Sequence, residues 1–441
     1  MYNNRSSKNL RVLRSLLTSP LLYLTAALLV VLAGTGGCLE ETKAPVASEA
    51  RADADLAGLT KGPLLLRVSQ NRAALMWEAD AEGFGELSYG VGEQLEKHIS
   101  VEPERVEYRI RSKGGARQKK TAFIYKTWLK NLRPGQVYDY RITGPQTQSS
   151  VYSFRTVPAD TDEVTFAVYG DCRTYPYRHR KIVEQIIKKE VDFVVISGDL
   201  VEDGGIYQQW QQQFFKPLKG LAESVPVYAV KGNHDLSRQN YFEKLLVPSG
   251  QTANFSFDYG PVHFYCADNY VGTETQILAL IAADIGASTS TWKFVSYHEP
   301  TINFGGHWSD WAYPDALSTF AEAGADFVIT GHSHQYERFR PIAPPPGIDG
   351  SYVTYITSAG GGAPLYNVKP SLYHAHAKKI HHFCLFHIKG NKLTMDTIDI
   401  NGRIADQLKI NKIDGRLNKE YLQTAVSLEE VQLFRDAHSE P

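Results

Sequence analysis

A short apolar run that ends abruptly constrains the fold of this chain more than any other feature. Residues 191–197 are mainly Val, Ile and Phe, and the run stops at Gly198 and Asp199. Such a run is typical of a buried parallel strand, and the carboxyl ends of parallel strands are where open α/β sheets bind ligands. Gly-Asp alone is also ordinary turn chemistry, so the pair gains meaning only if other strands end in the same way.

The chain after Pro158 alternates between strand-like and helix-like runs. The order is strand, helix, strand, helix, strand, at residues 164–169, 178–189, 191–197, 206–221 and 225–230. This alternation predicts βαβ units and a mostly parallel sheet. The strand-like runs between 255 and 400 follow one another more closely, which predicts antiparallel additions and a second sheet.

Residues 61–158 carry a different pattern, made of short alternating runs that turn residues separate. This spacing is typical of an all-β sandwich, and no helix-period run of useful length interrupts it. No acid–base cluster is visible there. At the other end of the chain, the charged run from Lys419 to His438 predicts a helical tail within residues 411–441.

Length and charge limit the classes of protein to which this chain can belong. With 441 residues, 43% of them hydrophobic, and a formal net charge of -1, the chain can bury a large core and is long enough for two domains. The charges form no basic stripe, so nucleic acid is not expected as a partner. Beyond Cys38 the chain has only Cys172, Cys266 and Cys384, too few for a disulfide framework, so packing must stabilise the fold.

Residues 1–37 have the order of an export signal. Basic residues precede an apolar stretch at 16–33, and small residues then lead into Cys38. This ending resembles a bacterial lipoprotein signal, in which the cysteine is lipidated. The resemblance implies a lipid anchor at Cys38, a flexible tether at 38–60 and an extracytoplasmic place on a bacterial membrane, on the periplasmic or cell-surface side. The alternative is an uncleaved signal anchor, with Cys38 an incidental residue.

Metal-ligand residues follow five of the strand-like runs. These residues are Asp171; Asp199; Asn233 with His234 and Asp235; His298; and His332 with His334. Taken singly, each group has an ordinary explanation as a turn, a loop histidine or a strand edge. Their recurrence at the same end of successive strands favours one shared site. Asp, Asn and His together suit Fe, Mn or Zn better than Ca or Mg.

These five motifs resemble those of the calcineurin-like metallophosphoesterase superfamily. The stretch Gly-His-Ser-His-Gln-Tyr-Glu-Arg at 331–338 is similar to the purple acid phosphatase branch, as is the leader, whose Pro134-Gly135 turn resembles that of a fibronectin type III domain. The resemblance spans about residues 62–408. It implies an α/β (α+β) fold: a four-layer αββα metallophosphoesterase sandwich at 159–410, preceded by a fibronectin III-like β-sandwich at 61–158.

The resemblance also assigns roles, position by position. It implies two divalent or trivalent metal ions (Fe, Mn or Zn) bridged by Asp199. Asp171 and His334 would bind the first ion, and Asn233, His298 and His332 would bind the second. His234 would contact the substrate phosphate and act as general acid or charge stabiliser, with Asp235 orienting its ring.

Two positions depart from the family pattern. Arg173 stands where the superfamily has a histidine ligand of the first ion, and Glu202 stands where purple acid phosphatases have the tyrosine that gives their colour. We expect Arg173 to reach the substrate phosphate as a bidentate donor, with a salt bridge to Glu202 or Asp203 as the alternative. His307 lies where the branch carries substrate-contacting histidines, and a plain loop histidine is the alternative there.

The sequence thus predicts a metallophosphoesterase that acts on a small phosphorylated substrate. The family mechanism implies that a metal-bound hydroxide attacks a phosphomonoester or phosphodiester at a dinuclear site. The competing class is a non-catalytic or single-metal binding module on the same fold, and Arg173 keeps that class open. The sequence does not indicate an oligomeric state.

Overall fold

The computed structural model describes residues 58–438, with gaps at 93, 112–116, 308, 310 and 313. The export signal, Cys38 and nearly all of the tether predicted at 38–60 lie outside the described residues. Within the described part of the chain, no helix has both the length and the apolar content needed to cross a bilayer.

The first part of the described chain is a β-sandwich. Its strands are β1 (Leu59–Val68), β2 (Arg72–Ala79), β3 (Gly85–Gly90), β4 (Lys97–Val101), β5 (Glu104–Arg111), β6 (Arg117–Lys130), β7 (Val137–Gly144), β8 (Thr147–Gln148) and β9 (Tyr152–Arg155). One sheet has the order β1-β2-β6-β5 and the other β4-β3-β7-β8, with β9 also paired to β7. Trp77 and Tyr125 stack at 5.2 Å in a core shared with Tyr140 and Phe154. The predicted sandwich is confirmed, whereas its likeness to fibronectin type III stays a prediction.

The next segment contains the predicted βαβ units. Its elements are β10 (Glu163–Tyr169), α1 (Pro176–Ile187), β11 (Phe193–Ile196), α2 (Tyr207–Gln209), a π-helical turn (Trp210–Phe215), α3 (Lys216–Leu218), β12 (Val227–Ala229), a 3₁₀ turn (Asn233–Asp235) and α4 (Tyr241–Leu246). Strands β10, β11 and β12 pair in parallel. Their carboxyl ends therefore lie at one edge of the sheet.

The remaining elements build a second sheet and complete the first. They are β13 (Phe255–Tyr259), β14 (Val262–Cys266), α5 (Glu274–Ala287), β15 (Trp292–Ser296), α6 (Asp315–Ala323), β16 (Phe327–Thr330), β17 (Tyr336–Phe339), β18 (Thr354–Ser358), β19 (His374–Lys378), β20 (His382–Lys389), β21 (Lys392–Asp399), β22 (Ile404–Ile413), β23 (Arg416–Leu417), α7 (Lys419–Leu422) and α8 (Leu428–His438). The sheets have the orders β12-β11-β10-β20-β21-β22-β23 and β13-β14-β15-β16-β18-β17-β19. In the second sheet, β14, β15, β16 and β18 are parallel.

Phenylalanine rings fill the space between the two seven-stranded sheets. Within the first sheet Phe166 stacks on Phe386 at 4.9 Å, and within the second Phe294 stacks on Phe327 at 5.0 Å. Across the gap, Phe166 meets Phe294 edge-on at 5.3 Å. Burying each such ring contributes about 2–3 kcal/mol, so this layer holds the strand ends in fixed positions.

Helices cover the outer faces of both sheets. Helices α1 to α4 pack on the first sheet, together with Met76 and Ile124 of the β-sandwich. Helices α5 and α6 pack on the second sheet through Ile281 and Phe320. The result is the predicted four-layer αββα sandwich, which the N-terminal β-sandwich abuts.

The C-terminal prediction needs correction. The boundary at 410 falls inside β22, which continues to Ile413 and turns back into β23. The predicted helix from 419 to 438 is two helices, because Val426 between them makes a β-bridge with Ile342. Ser427 restarts the helix: its hydroxyl accepts from the Glu430 N–H at 3.1 Å while the Glu430 carboxylate accepts from the Ser427 N–H at 2.8 Å, a capping box.

Candidate active site

The loops after five parallel strands bring all six predicted metal ligands to one place. Asp171 follows β10, Asp199 follows β11, Asn233 follows β12, His298 follows β15, and His332 and His334 follow β16. Each side chain touches at least one other member of the set. The convergence expected from the strand ends is what the structure shows, while metal binding by these residues stays a prediction.

The backbone is strained at three of the six candidate metal-ligand residues. Asp171, Asp199 and His332 have φ values of 57°, 54° and 69°, in the left-handed region that residues other than glycine rarely adopt. The glycine before Asp199, Gly198, also has a positive φ, of 96°, and a second reason favours glycine there. A Cβ on Gly198 would lie 2.3 Å from Nδ1 of His298, so only glycine lets the β11 loop pass the imidazole. Strain of this kind clusters at functional sites.

Four side chains form what we call the histidine-rich position: Asp199, Asn233, His298 and His332. Nε2 of His298 and Nδ1 of His332 each lie 3.1 Å from Oδ1 of Asn233. Nε2 of His298 also lies 3.3 Å from Oδ1 of Asp199. Ligand atoms that surround one metal ion at about 2.1 Å are themselves about 3.0–3.4 Å apart. The residues present therefore fit a metal ion of the Fe, Mn or Zn class.

Electrostatics at this position favour a cation. Nδ1 of His298 donates to the carbonyl oxygen of Ser197 at 2.8 Å, which leaves Nε2 facing the carboxylate and the amide oxygen. Burial lowers the pKa of His298, but the Asp199 carboxylate raises it by more than burial lowers it, so the resulting pKa is about 10. A proton on Nε2 or a metal ion in its place meets the same demand for positive charge. For His332, burial and then His298 lower the pKa to about 3, which keeps a neutral imidazole available as a ligand.

Three side chains form what we call the carboxylate position: Asp171, Asp199 and His334. Their ligand atoms all lie within 4.8 Å of one another. Both Asp171 oxygens accept from the backbone N–H of His332, at 3.1 and 2.9 Å. Nδ1 of His334 donates to the Pro364 carbonyl at 2.8 Å, so its Nε2 faces inward, 3.3 Å from Oδ1 of Asp171.

The guanidinium of Arg173 lies in the carboxylate position. Its Nε donates to Oδ2 of Asp199 at 3.1 Å, and its Nη2 lies 3.3 Å from Nε2 of His334. Nη1 donates to Glu202 at 2.8 Å and to the Thr174 hydroxyl at 3.3 Å. The salt bridge to Glu202 that was the alternative expectation for Arg173 is therefore present. With these contacts in place, Arg173 has too few free N–H groups for bidentate binding of a phosphate.

Arg173 stays charged in this environment. Burial lowers the pKa of its guanidinium, but Asp199, Asp171 and Glu202 raise it by more, so the net shift is upward. Glu202 is held as a carboxylate: burial raises its pKa, and the hydrogen bonds from Thr174 and Arg173 lower it more. The two residues that depart from the family pattern are thus a charged pair.

The predicted role of Asp235 is wrong in one respect. Its carboxylate does not contact the His234 ring; it accepts from the N–H groups of Leu200 at 2.9 Å, Val201 at 3.2 Å and Gly232 at 2.8 Å. Instead, Nδ1 of His234 donates to the carbonyl of Glu202 at 2.7 Å. Burial and then the charge of Asp199 raise the pKa of Asp235 to about 8. Asp235 ties together the loops that carry Asp199 and Asn233.

The two remaining substrate candidates border the histidine-rich position. His234 is half-buried, and its backbone N–H donates to Oδ1 of Asp199 at 3.0 Å. His307 is exposed, and its ring stacks on that of His332 with centroids 4.4 Å apart. Both side chains are within the site, and their contacts with a substrate stay predictions.

Sequence reasoning missed two neighbours of the site. Tyr366 stacks on His334 with centroids 4.4 Å apart, and its N–H donates to the His334 carbonyl at 2.9 Å. Thr174 donates to Glu202 through a short hydrogen bond. Thr174 could have been suspected because it follows Arg173 directly. No sequence pattern marks Tyr366, which lies in an irregular segment after the glycine-rich stretch at 360–362.

Comparisons with known proteins find relatives among phosphoesterases. The calcineurin-like phosphoesterase family model matches residues 164–336. Purple acid phosphatase 21 of Arabidopsis thaliana is 28% identical over 265 residues, covering 54% of this chain and 58% of the relative. Probable inactive purple acid phosphatase 1 of the same plant is 24% identical over 276 residues, covering 50% and 44% respectively. The chain thus spans about half the length of these two curated relatives.

Solved structures show the same fold. A purple acid phosphatase from yellow lupin (Lupinus luteus) seeds aligns with a TM-score of 0.68 at 17% identity, covering 85% of this chain and 77% of that chain. PhoD aligns with a TM-score of 0.59 at 12% identity, covering 86% and 99%. Residues 164–336 thus match the calcineurin-like phosphoesterase family model, and purple acid phosphatases are among the proteins that this chain resembles in sequence and in fold.

Proposed function

We propose that this chain hydrolyses phosphate esters with the help of a metal ion bound at the histidine-rich position. The observation that carries the proposal is the spacing of the ligand atoms there, 3.1 to 3.3 Å among Asp199, Asn233 and His298. The phosphatase relatives support the reaction class. A metal ion at this position would activate water and neutralise charge on the phosphoryl oxygens.

The chain's own residues then supply positioning and proton transfer. His234 borders the position, and the Glu202 carbonyl fixes its Nδ1–H at 2.7 Å. That contact leaves Nε2 facing the site, and in the imidazolium form its N–H can donate to a phosphoryl oxygen or pass its proton to the leaving oxygen. Arg173 adds a fixed positive charge beside Asp199, and His307 lies at the exposed rim where a phosphate enters.

The number of metal ions and the type of ester are finer parts of the proposal. The sequence predicts two ions that share Asp199, and the histidine-rich position supports one of them. The carboxylate position has three possible ligand side chains but contains the Arg173 guanidinium. Phosphomonoesters and phosphodiesters both remain within the proposed substrate class.

A single-metal binding module is the second candidate. The Arg173–Glu202 pair favours it, since both residues stand where relatives carry metal ligands. One relative of similar coverage is named as probably inactive. Turnover separates the two candidates, because a binding module takes up metal without cleaving an ester.

An assay on purified, metal-reconstituted protein tests the proposal. Hydrolysis of a nitrophenyl phosphate or its bis ester is expected, and Asp199→Asn should abolish it. Asp326→Asn is the matched control: Asp326 is also buried and ion-paired, with Lys412 at 2.6 Å, but it precedes β16, at the opposite end from His332. Cleavage of neither ester, or equal rates in wild type and Asp199→Asn, contradicts the proposal.

We further propose that the protein is exported and anchored through lipidated Cys38, with the tether holding the fold away from the membrane. Support comes from the sequence of residues 1–60. Labelled palmitate should enter the wild-type protein and be absent from Cys38→Ala. Equal labelling of both, or none in the wild type, contradicts lipidation at this cysteine.

A further inference from the structure

The carboxylate position already contains a cation that the chain itself supplies. Asp199 presents Oδ1 to His298 of the histidine-rich position and Oδ2 to Nε of Arg173, at 3.3 and 3.1 Å. On the far side, Nη2 of Arg173 lies 3.3 Å from the inward-facing Nε2 of His334. Asp199 therefore bridges the histidine-rich position and a guanidinium.

Further contacts hold the guanidinium where it is. Nη1 donates to Glu202 and to Thr174, and Thr174 in turn donates to Glu202. The Arg173 side chain is only 9% exposed, so its charge is shielded from water and depends on these carboxylates. A guanidinium cannot lose its proton in a protein, so it cannot make way for a metal ion by becoming neutral.

A metal ion does not fit at the carboxylate position beside the Arg173 guanidinium. Two of the three side chains that could hold an ion at the carboxylate position, Asp199 and His334, are partners of Arg173. An ion bound by the three would lie within a few ångströms of the guanidinium, where two positive charges in a buried setting repel each other strongly.

We propose that the Arg173 guanidinium is the permanent cation of the carboxylate position, so that the chain binds one metal ion, at the histidine-rich position, rather than two. The inference rests on the proposed function only for the metal at the histidine-rich position. It explains both departures from the family pattern as one exchange, because the arginine that replaces a histidine ligand is paired at 2.8 Å with the glutamate that replaces a tyrosine ligand.

Metal stoichiometry tests the inference directly. The full chain is reconstituted with excess Zn²⁺ or Mn²⁺, passed through a desalting column and subjected to elemental analysis. About one ion per chain is expected, lost in His298→Ala. Two ions per chain overturn the inference, and so does none. If one ion is bound and no ester is cleaved, the inference stands and the proposed hydrolysis fails.

Two substitutions at Arg173 test whether the charge of this side chain excludes a second metal ion. Arg173→Ala removes the charge and opens the position, so a second ion should bind. Arg173→Lys keeps a cation there, so stoichiometry should stay at one. A second ion in the lysine variant, or no second ion in the alanine variant, contradicts the inference.

A double substitution makes the test independent of how well Arg173→Ala folds. Arg173→His with Glu202→Tyr restores the two ligand types together, and this variant should bind two ions. Loaded with iron, it should also gain a visible absorption band from the new tyrosinate, which the wild type lacks. Circular dichroism confirms that each variant is folded. A folded double variant that binds one ion and shows no band overturns the inference.

Discussion

Nδ1 of His234 donates to the carbonyl oxygen of Glu202 at 2.7 Å, so a backbone atom and not a carboxylate fixes this ring. The arrangement predicts that the ring keeps its orientation when side chains around it change. His234→Ala should lower kcat by about 10²–10⁴-fold with a smaller change in KM, because proton transfer to the leaving oxygen is lost. Steady-state kinetics measure this effect.

The control for His234 is His387→Ala, which removes a half-exposed histidine on β20 that contacts Thr165 and Glu163. Its kcat should match the wild type. If His234→Ala also keeps the wild-type kcat, His234 is not the proton donor.

The stacked pair of His307 and His332 gives a second prediction, since the two rings are 4.4 Å apart yet should have different roles. His332 faces Asn233 at 3.1 Å, so His332→Ala should release the metal. His307 is exposed, so His307→Ala should leave metal content unchanged and raise KM by about tenfold through a lost contact with phosphate. Elemental analysis and kinetics on the same samples decide. Metal loss in His307→Ala, or an unchanged KM, contradicts the role given to it.

The positions of the candidate metal ligands were predictable from the sequence because each of these residues follows the end of a strand. Parallel strands end at one edge of a sheet. The pairing of β10, β11 and β12 therefore brings Asp171, Asp199 and Asn233 together. His298, His332 and His334 follow strands of the second sheet, which packs on the first sheet through the phenylalanine layer.

The contacts of Arg173 and Asp235 were not predictable, because they depend on loop paths. Arg173 meets Glu202 across a separation of 29 residues, in a loop whose shape follows from the left-handed backbone at Asp199. Asp235 directly follows His234, which suggested a contact with its ring, yet the 3₁₀ turn at 233–235 aims the carboxylate at the β11 loop. Adjacency in sequence does not set side-chain direction in a turn.

Gly198 provides a test of how tightly the site is packed. Gly198→Ala would place its Cβ 2.3 Å from Nδ1 of the His298 ring, so the free energy of unfolding should fall by about 3 kcal/mol and metal affinity should drop. Gly250→Ala is the matched control: its φ is also positive, at 75°, but no atom of the described residues lies within 4 Å of its added Cβ, so about 1 kcal/mol of backbone strain is expected. Denaturant unfolding of both variants gives the comparison. Equal losses show that backbone strain, not the contact with His298, makes glycine necessary at 198.

The buried carboxyl of Glu223, which is not among the candidate metal ligands, predicts a pH dependence of stability. Burial raises the pKa of this carboxyl to about 7, although the Gly220 N–H donates to it at 2.8 Å. The ordinary value is about 4.3, so between about pH 4 and 7 the folded protein keeps a proton that the unfolded chain has lost. The free energy of unfolding should therefore fall as pH rises through this window, by up to about 3 kcal/mol from this group.

Substituting Glu223 by its neutral isostere isolates that contribution. Glu223→Gln keeps an acceptor for the Gly220 N–H and cannot ionise, so the difference in unfolding free energy between the variant and the wild type should grow from pH 5 to pH 8 in favour of the variant. Glu102→Gln, at an exposed position, should show no such trend. Denaturant unfolding at both pH values measures the difference. A constant difference across the window means that the Glu223 carboxyl is already ionised in the folded protein at pH 5, and that burial does not hold its proton.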